Sequence, residues 1–221
     1  MLNIAIDGPC GAGKSTISKL VAKKLGITYL DTGAMYRAVA LFVTRNGADV
    51  HDKKTVVSLL KNIEINFVAI DDQKHIFLNG EDVEKEIREH RMSKLASDVS
   101  KIEEVRLFLV EKQREIAQNS NVVLDGRDIT SFVLPNAKFK FYLTATAQER
   151  AKRRFEELKS KGGCQFCYDE ILRDVIDRDK NDMERKFAPL VQTKDAILID
   201  STDMTIQEIV DYIVRKVEEN K

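Results

Sequence analysis

The eight residues from Gly8 to Ser15, GPCGAGKS, constrain this chain more than any other part of it. They fit the spacing GxxxxGK[ST]. Glycines in such a loop let successive backbone N–H groups converge on a phosphate, and the helix that follows adds its positive end. The lysine reaches the β- and γ-phosphates, and the hydroxyl after it supplies a Mg²⁺ position. Both flanks suit the motif. Residues 2–7, LNIAID, form an apolar run stopped by Gly8 and Pro9, which predicts a buried strand. From Lys14 onward Ile17, Leu20, Val21 and Leu25 recur at helical spacing until Gly26 stops them. The expected contacts for ATP are therefore Gly8, Pro9, Cys10, Gly11, Ala12, Gly13, Lys14, Ser15 and Thr16.

Further strand candidates lie at 27–30, 121–124, 138–143 and 196–199, with helical patterns between them. Two of those helices open on capping boxes, Thr146 with Glu149 and Thr205 with Glu208. The last carries Ile206, Ile209, Val210, Ile213, Val214 and Val217 on one stripe, a core-facing pattern. Strands alternating with helices predict an α/β fold of three layers, a central parallel sheet flanked by helices. Residues 63–82 break the rhythm, since IEINFVAI, a DDQ turn and HIFLNGEDV predict a hairpin and a β-rich insert. A polar stretch at about 155–165 with Gly162 and Gly163 suits a mobile flap. The expectation is one domain. Its core takes in about 1–35, 105–150 and 185–221, its insert about 36–104 and its lid about 155–166.

Composition narrows the function classes. Of 221 residues 43% are hydrophobic and 33% charged, the balance of a soluble globular chain. Lys plus Arg and Asp plus Glu number 36 each, so nucleic acid is not an expected partner without a local basic patch. No apolar run approaches the roughly 20 residues that span a bilayer, so no membrane is expected. A first strand beginning at Asn3 leaves no room for a signal peptide. Three cysteines argue against a disulfide framework, and a cytoplasmic monomer is expected. Cys164 and Cys167 form a CxxC, half a zinc site or a redox pair, but no second such pair follows.

Asp125 ends the NVVLD strand, where an acid beside the phosphate loop can hold Mg²⁺ together with Ser15, or cap the next turn. No guanine-reading NKxD tetrapeptide is present, which favours phosphorylation of a small molecule over a GTP switch. Four clusters pair arginines with polar residues. They are Thr32, Tyr36 and Arg37; Ser97 with Arg106; Arg127 with Asp128; and Arg178, Asp182 and Arg185, spaced for one helix face. A lone arginine is usually a solvated charge. Placement near strand ends, where open parallel sheets bind ligands, argues for a site.

GPCGAGKST, LDTGAMYRAVAL, LDGRDI and RDKNDMERKFAPL, in this order across residues 2 to about 200, resemble the marks of bacterial cytidylate kinases. These belong to the nucleoside-monophosphate kinases. The resemblance implies ATP-dependent phosphorylation of CMP and dCMP, with release of ADP and help from Mg²⁺. It implies that Arg37, Arg127 and Arg185 clamp the acceptor phosphate, with Thr32 and Tyr36 beside it. By the same likeness Arg178 and Asp182 hold the ribose, and Ser97, Arg106 and Asp128 read the base. The insert would be the family's monophosphate-binding subdomain.

Forked guanidinium donors match phosphate oxygens. A carboxylate complements the N4 amino group of cytosine and opposes O4 of uracil, so CMP is expected over UMP. The acceptor phosphate has a second pKa of about 6 and needs no general base. His51, His75 and His90 match no expected site. Lys14, Arg127, Arg185 and Arg153 are the expected catalytic set, with Arg150 and Arg153 placed to close on the ATP phosphates. Cys10 and the pair Thr130 and Ser131 depart from the family pattern. Another acceptor such as UMP, AMP or a phosphorylated sugar, or a non-catalytic ATP-binding module, is the alternative.

Overall fold

A computed structural model of the protein describes residues 1–70, 73–160 and 167–220. In chain order, β1 (Asn3–Asp7), α1 (Lys14–Leu25), β2 (Thr28–Asp31), α2 (Thr32–Arg45) and α3 (Lys53–Leu59) precede β3 (Ile65–Ile70), β4 (Gln73–Leu78) and β5 (Glu81–Asp82). Helices α4 (His90–Val99) and α5 (Glu103–Asn119) lead to β6 (Val122–Gly126) and β7 (Phe139–Thr144). After these come α6 (Ala147–Ser160), α7 (Tyr168–Glu184), β8 (Ile197–Asp200) and α8 (Ile206–Glu218).

Five strands form one parallel sheet in the order β2-β6-β1-β7-β8. β1 is buried almost throughout and β6 entirely, which is why both read as unbroken apolar runs. They pair in parallel, with Ile6 opposite Asp125 and Asp7 opposite Gly126, so their carboxyl ends stand level. One face of the sheet is filled by Ile4, Ile6, Phe139 and Phe141 against Ile17 and Val21 of α1 and Ile209, Ile213 and Val217 of α8. The Thr205–Glu208 capping box forms in both directions and starts α8.

The chain divides into two compact units, residues 1–30 with 116–221, and residues 31–115. The second holds the antiparallel sheet β3-β4-β5, in which His75 meets Asp82 at 2.7 Å. The expected hairpin turn at Asp71 and Asp72 lies outside the described residues. So do Gly162, Gly163, Cys164 and Gln165 of the expected flap. From Phe155 to Ser160 that stretch forms the end of α6. The reason is packing: Phe155 and Leu158 join Ala151, Ile171 and Val175 in a small core between α6 and α7. Cys167 caps α7, its backbone N–H donating to Glu170 at 3.0 Å. Among the described residues no helix is long and apolar enough to cross a membrane.

Gly8 shows why the loop must leave β1 through a glycine. A Cβ there would lie 1.9 Å from the Leu143 carbonyl oxygen of β7, and its φ of +151° disfavours other residues. Gly8→Ala should therefore destabilise the protein by about 3 kcal/mol in urea unfolding, and an unchanged midpoint would contradict this close approach.

Candidate active site

The loop begins where β1 ends and closes on α1. Gly11 and Gly13 adopt φ of +76° and +87°, left-handed turns that suit glycine, and α1 opens directly after Gly13. Lys14 is buried, and its Nζ donates to the Pro9 carbonyl at 2.7 Å. Burial, then the nearby Arg127 charge, pull its pKa down to about 7 against the opposing pull of Asp125. Ser15 Oγ donates to Asp125 Oδ2 at 2.9 Å, and Tyr29 OH donates to Oδ1 at 2.9 Å. A hydroxyl and a carboxylate held together at the strand end are hard oxygen donors of the kind Mg²⁺ takes. Tyr29 carried no motif and was not among the expected residues.

Around the loop stands a cluster of charges. Arg178 NH1 donates to Cys10 Sγ at 3.1 Å. Burial pushes the Cys10 thiol up, but Arg178, Arg127 and Lys14 outweigh it and hold the thiol below its usual range. Arg127 Nε donates to Asp182 Oδ2 at 2.8 Å. Arg185 stands 3.7 Å from Asp182 and 3.8 Å from Asp128. Burial opposes the charge of Asp182, and the three arginines around it override that and keep its carboxyl below the ordinary range.

Arg178 and Asp182 lie on α7 as the spacing implies, but Arg185 lies just beyond the helix. There its Nε donates to the Ala188 carbonyl at 2.6 Å, while the Leu190 N–H returns to the Asp182 carbonyl at 2.8 Å. The chain folds back ahead of Pro189 instead of continuing the helix.

Arg150, on α6, braces the loop. It donates to the Cys10 carbonyl at 2.8 Å and pairs with Asp179 at 2.7 Å, and Asp179 also accepts from the Cys10 N–H at 3.2 Å. Arg153, expected beside it at the phosphates, instead donates to Ser201, to Oγ at 3.0 Å and to the carbonyl at 2.6 Å. No sequence signal marks Asp179, one acid among several in a strongly charged helix.

Within residues 31–115, Thr32 and Tyr36 are buried on α2, and Arg106 lies buried with its guanidinium 5.4 Å from the Tyr36 ring centre. Arg106 NH1 donates to the Ser100 carbonyl at 3.3 Å, one turn past Ser97 on α4. Arg37 donates to Asp31 at 3.0 Å, and so does Arg88 at 2.7 Å, while Asp31 caps α2 through the Ala34 N–H. Burial raises the Asp31 carboxyl, yet Arg37 and Arg88 hold it low. Arg88 is a second guanidinium on the Arg37 anchor that sequence spacing did not flag.

Strand order, glycine loop and the lysine at its helix define the chain as a P-loop kinase fold. A model of the cytidylate kinase family matches residues 4–219, and the chain belongs to that family. The cytidylate kinase of Caldicellulosiruptor bescii is 53% identical over 213 residues, 96% of this chain and 94% of that protein. That of Clostridioides difficile (strain 630) is 48% identical over 216 residues, 98% of each. Among solved structures, an uncharacterized protein from Eubacterium ventriosum superposes with a TM-score of 0.56 at 14% identity, both chains covered in full. A gluconokinase from Sinorhizobium meliloti 1021 does so at 0.50 and 12%, covering 99% of this chain and 92% of that one. These two likenesses are of fold alone.

The Lys14 environment has a measurable consequence. The free lysine sheds its proton near pH 7, whereas phosphate beside it favours the ammonium form. Above pH 7, binding must therefore return a proton, and affinity should fall by up to about tenfold per pH unit. Calorimetry of ATP binding at pH 8.5, in buffers of different ionisation enthalpy, should show uptake approaching one proton. No buffer dependence would contradict the lowered pKa.

Proposed function

We propose that this chain transfers the γ-phosphoryl group of ATP to CMP or dCMP, releasing ADP, with the charge cluster at the loop serving both nucleotides' phosphates. The observation that carries this reading is Arg178 of α7 reaching Cys10 of the phosphate loop while Asp182, one turn further along α7, holds Arg127 from the end of β6. Loop and arginines belong to one cluster. Membership in the cytidylate kinase family supports CMP as the acceptor.

Lys14 and the loop N–H groups take the β- and γ-phosphates of ATP. Ser15 and Asp125 would hold Mg²⁺, which when bound neutralises phosphate charge. Arg37, Arg127 and Arg185 hold the acceptor phosphate, with Thr32 and Tyr36 beside it. Arg178 and Asp182 take the ribose. Ser97, Arg106 and Asp128 meet the cytosine edge, Asp128 accepting from N4.

The acceptor oxygen is already ionised at pH 7, so no side chain need remove a proton. The rate comes from alignment of two anions and from guanidinium and ammonium groups facing the charge that develops in transfer. Arg153, bound to Ser201, would have to exchange that partner to reach phosphate. We further infer a cytoplasmic monomer acting on free nucleotides; the balance of 36 basic and 36 acidic residues offers polyanions no general attraction.

Purified protein with Mg²⁺ and ATP, offered CMP, dCMP, UMP and AMP in turn, should form ADP fastest with CMP or dCMP. ADP formation with none of the four would sink the reading, and faster turnover of UMP would refute the role of Asp128. Asp128→Asn should cut the CMP-over-UMP preference in kcat/KM by roughly tenfold to a hundredfold.

A further inference from the structure

Asp7 is used by none of the roles above, yet it is completely buried at the carboxyl end of the central strand. An apolar side chain there would avoid the cost of burying a carboxylate. What surrounds it explains its presence. Its oxygens accept from the Ile129 N–H at 2.9 Å, the Thr130 N–H at 2.7 Å and the Thr130 hydroxyl at 2.6 Å.

Those two N–H groups open the tight turn Ile129–Val133, which closes back on the Asp128 carbonyl through the N–H groups of Phe132 at 2.8 Å and Val133 at 3.0 Å. The residues just before the turn are Arg127 and Asp128, and Gly126 lies opposite Asp7 in the sheet register. The segment 126–130 thus wraps one carboxylate. On its other side Asp7 is bonded directly to Gly8, the first residue of the phosphate loop. Burial raises the Asp7 carboxyl, and the Asp128 charge adds to the rise, which marks how near the two acids stand.

We propose that Asp7 is a positioning residue for acceptor choice, fixing the Arg127–Asp128 segment against the root of the phosphate loop. The inference rests on Asp128 reading the acceptor base. Asn at this position would turn an amide donor toward one of the three donors Asp7 now satisfies, so the turn and Asp128 with it must shift. Thr130→Val removes the hydroxyl alone, in a side chain of the same shape.

The test compares initial rates of wild type, Asp7→Asn and Thr130→Val with CMP and with UMP, together with the KM for ATP. Asp7→Asn should raise the CMP KM and lower the CMP-over-UMP ratio, each by about tenfold, with the ATP KM within about twofold of wild type. Thr130→Val should move both in the same direction by about twofold to fivefold. A general loss of folded protein would lower kcat for both nucleotides and leave the ratio unmoved. If the ratio is unchanged in both variants, or if the ATP KM rises as far as the CMP KM, Asp7 has no positioning role. Should Asp7→Asn not fold, an unchanged ratio in Thr130→Val alone overturns the proposal. A wild type that shows no preference for CMP overturns instead the reading of Asp128 on which it rests.

Discussion

Lys14, Arg127, Arg178 and Arg185 gather where the strand ends withdraw them from water, and the site is organised around containing their repulsion. Two like charges about 4 Å apart near a protein surface repel by about 4 kcal/mol, so such a cluster needs anions or must give up charge. Asp182 answers for three arginines, accepting from Arg127 at 2.8 Å with Arg185 at 3.7 Å. Asp179 neutralises Arg150. Lys14 gives up charge as well, its pKa drawn down to about 7 by burial first and by the Arg127 charge second. The phosphates of two nucleotides would relieve what the carboxylates leave over.

The sheet makes this crowding possible. Its two adjacent central strands end level, so that β1 delivers the glycine loop and β6 delivers Asp125, Arg127 and Asp128 at one edge. Each strand end is tied to its neighbour by a carboxylate. Asp125 takes the Ser15 hydroxyl from the loop side. Asp7 takes the backbone of Ile129 and Thr130 beyond the end of β6. α7 closes the arrangement by bringing Arg178 to Cys10 and Asp182 to Arg127.

Much of this could be seen in the sequence because it is local or periodic. The loop is eight contiguous residues, the central strands are apolar runs, and the stripe of α8 repeats at helical spacing. Arg178 and Asp182 share a helix face for the same reason. Arg185 does not, because the backbone turns back toward Asp182 before Pro189, and no periodicity announces that. α6 extends into the expected flap as far as Ser160 because two apolar residues in a polar stretch, Phe155 and Leu158, find a core with α7. Asp7 finds its partners more than a hundred residues away, and Arg88 meets Asp31 across 57. Sequence spacing carries no mark of such pairs. Thr130, out of pattern in the sequence, has a physical reason in its hydroxyl bond to Asp7.

The central claim is that one cluster of cations serves the phosphates of both donor and acceptor. It is tested most directly by a molecule in which cytidine and adenosine are joined through a bridging oligophosphate chain. Such a compound should bind once per chain, exclude both CMP and ATP, and bind about a hundredfold or more tighter than either alone. If it displaces ATP but leaves CMP bound, or binds no tighter than ATP, the two nucleotides do not share this cluster.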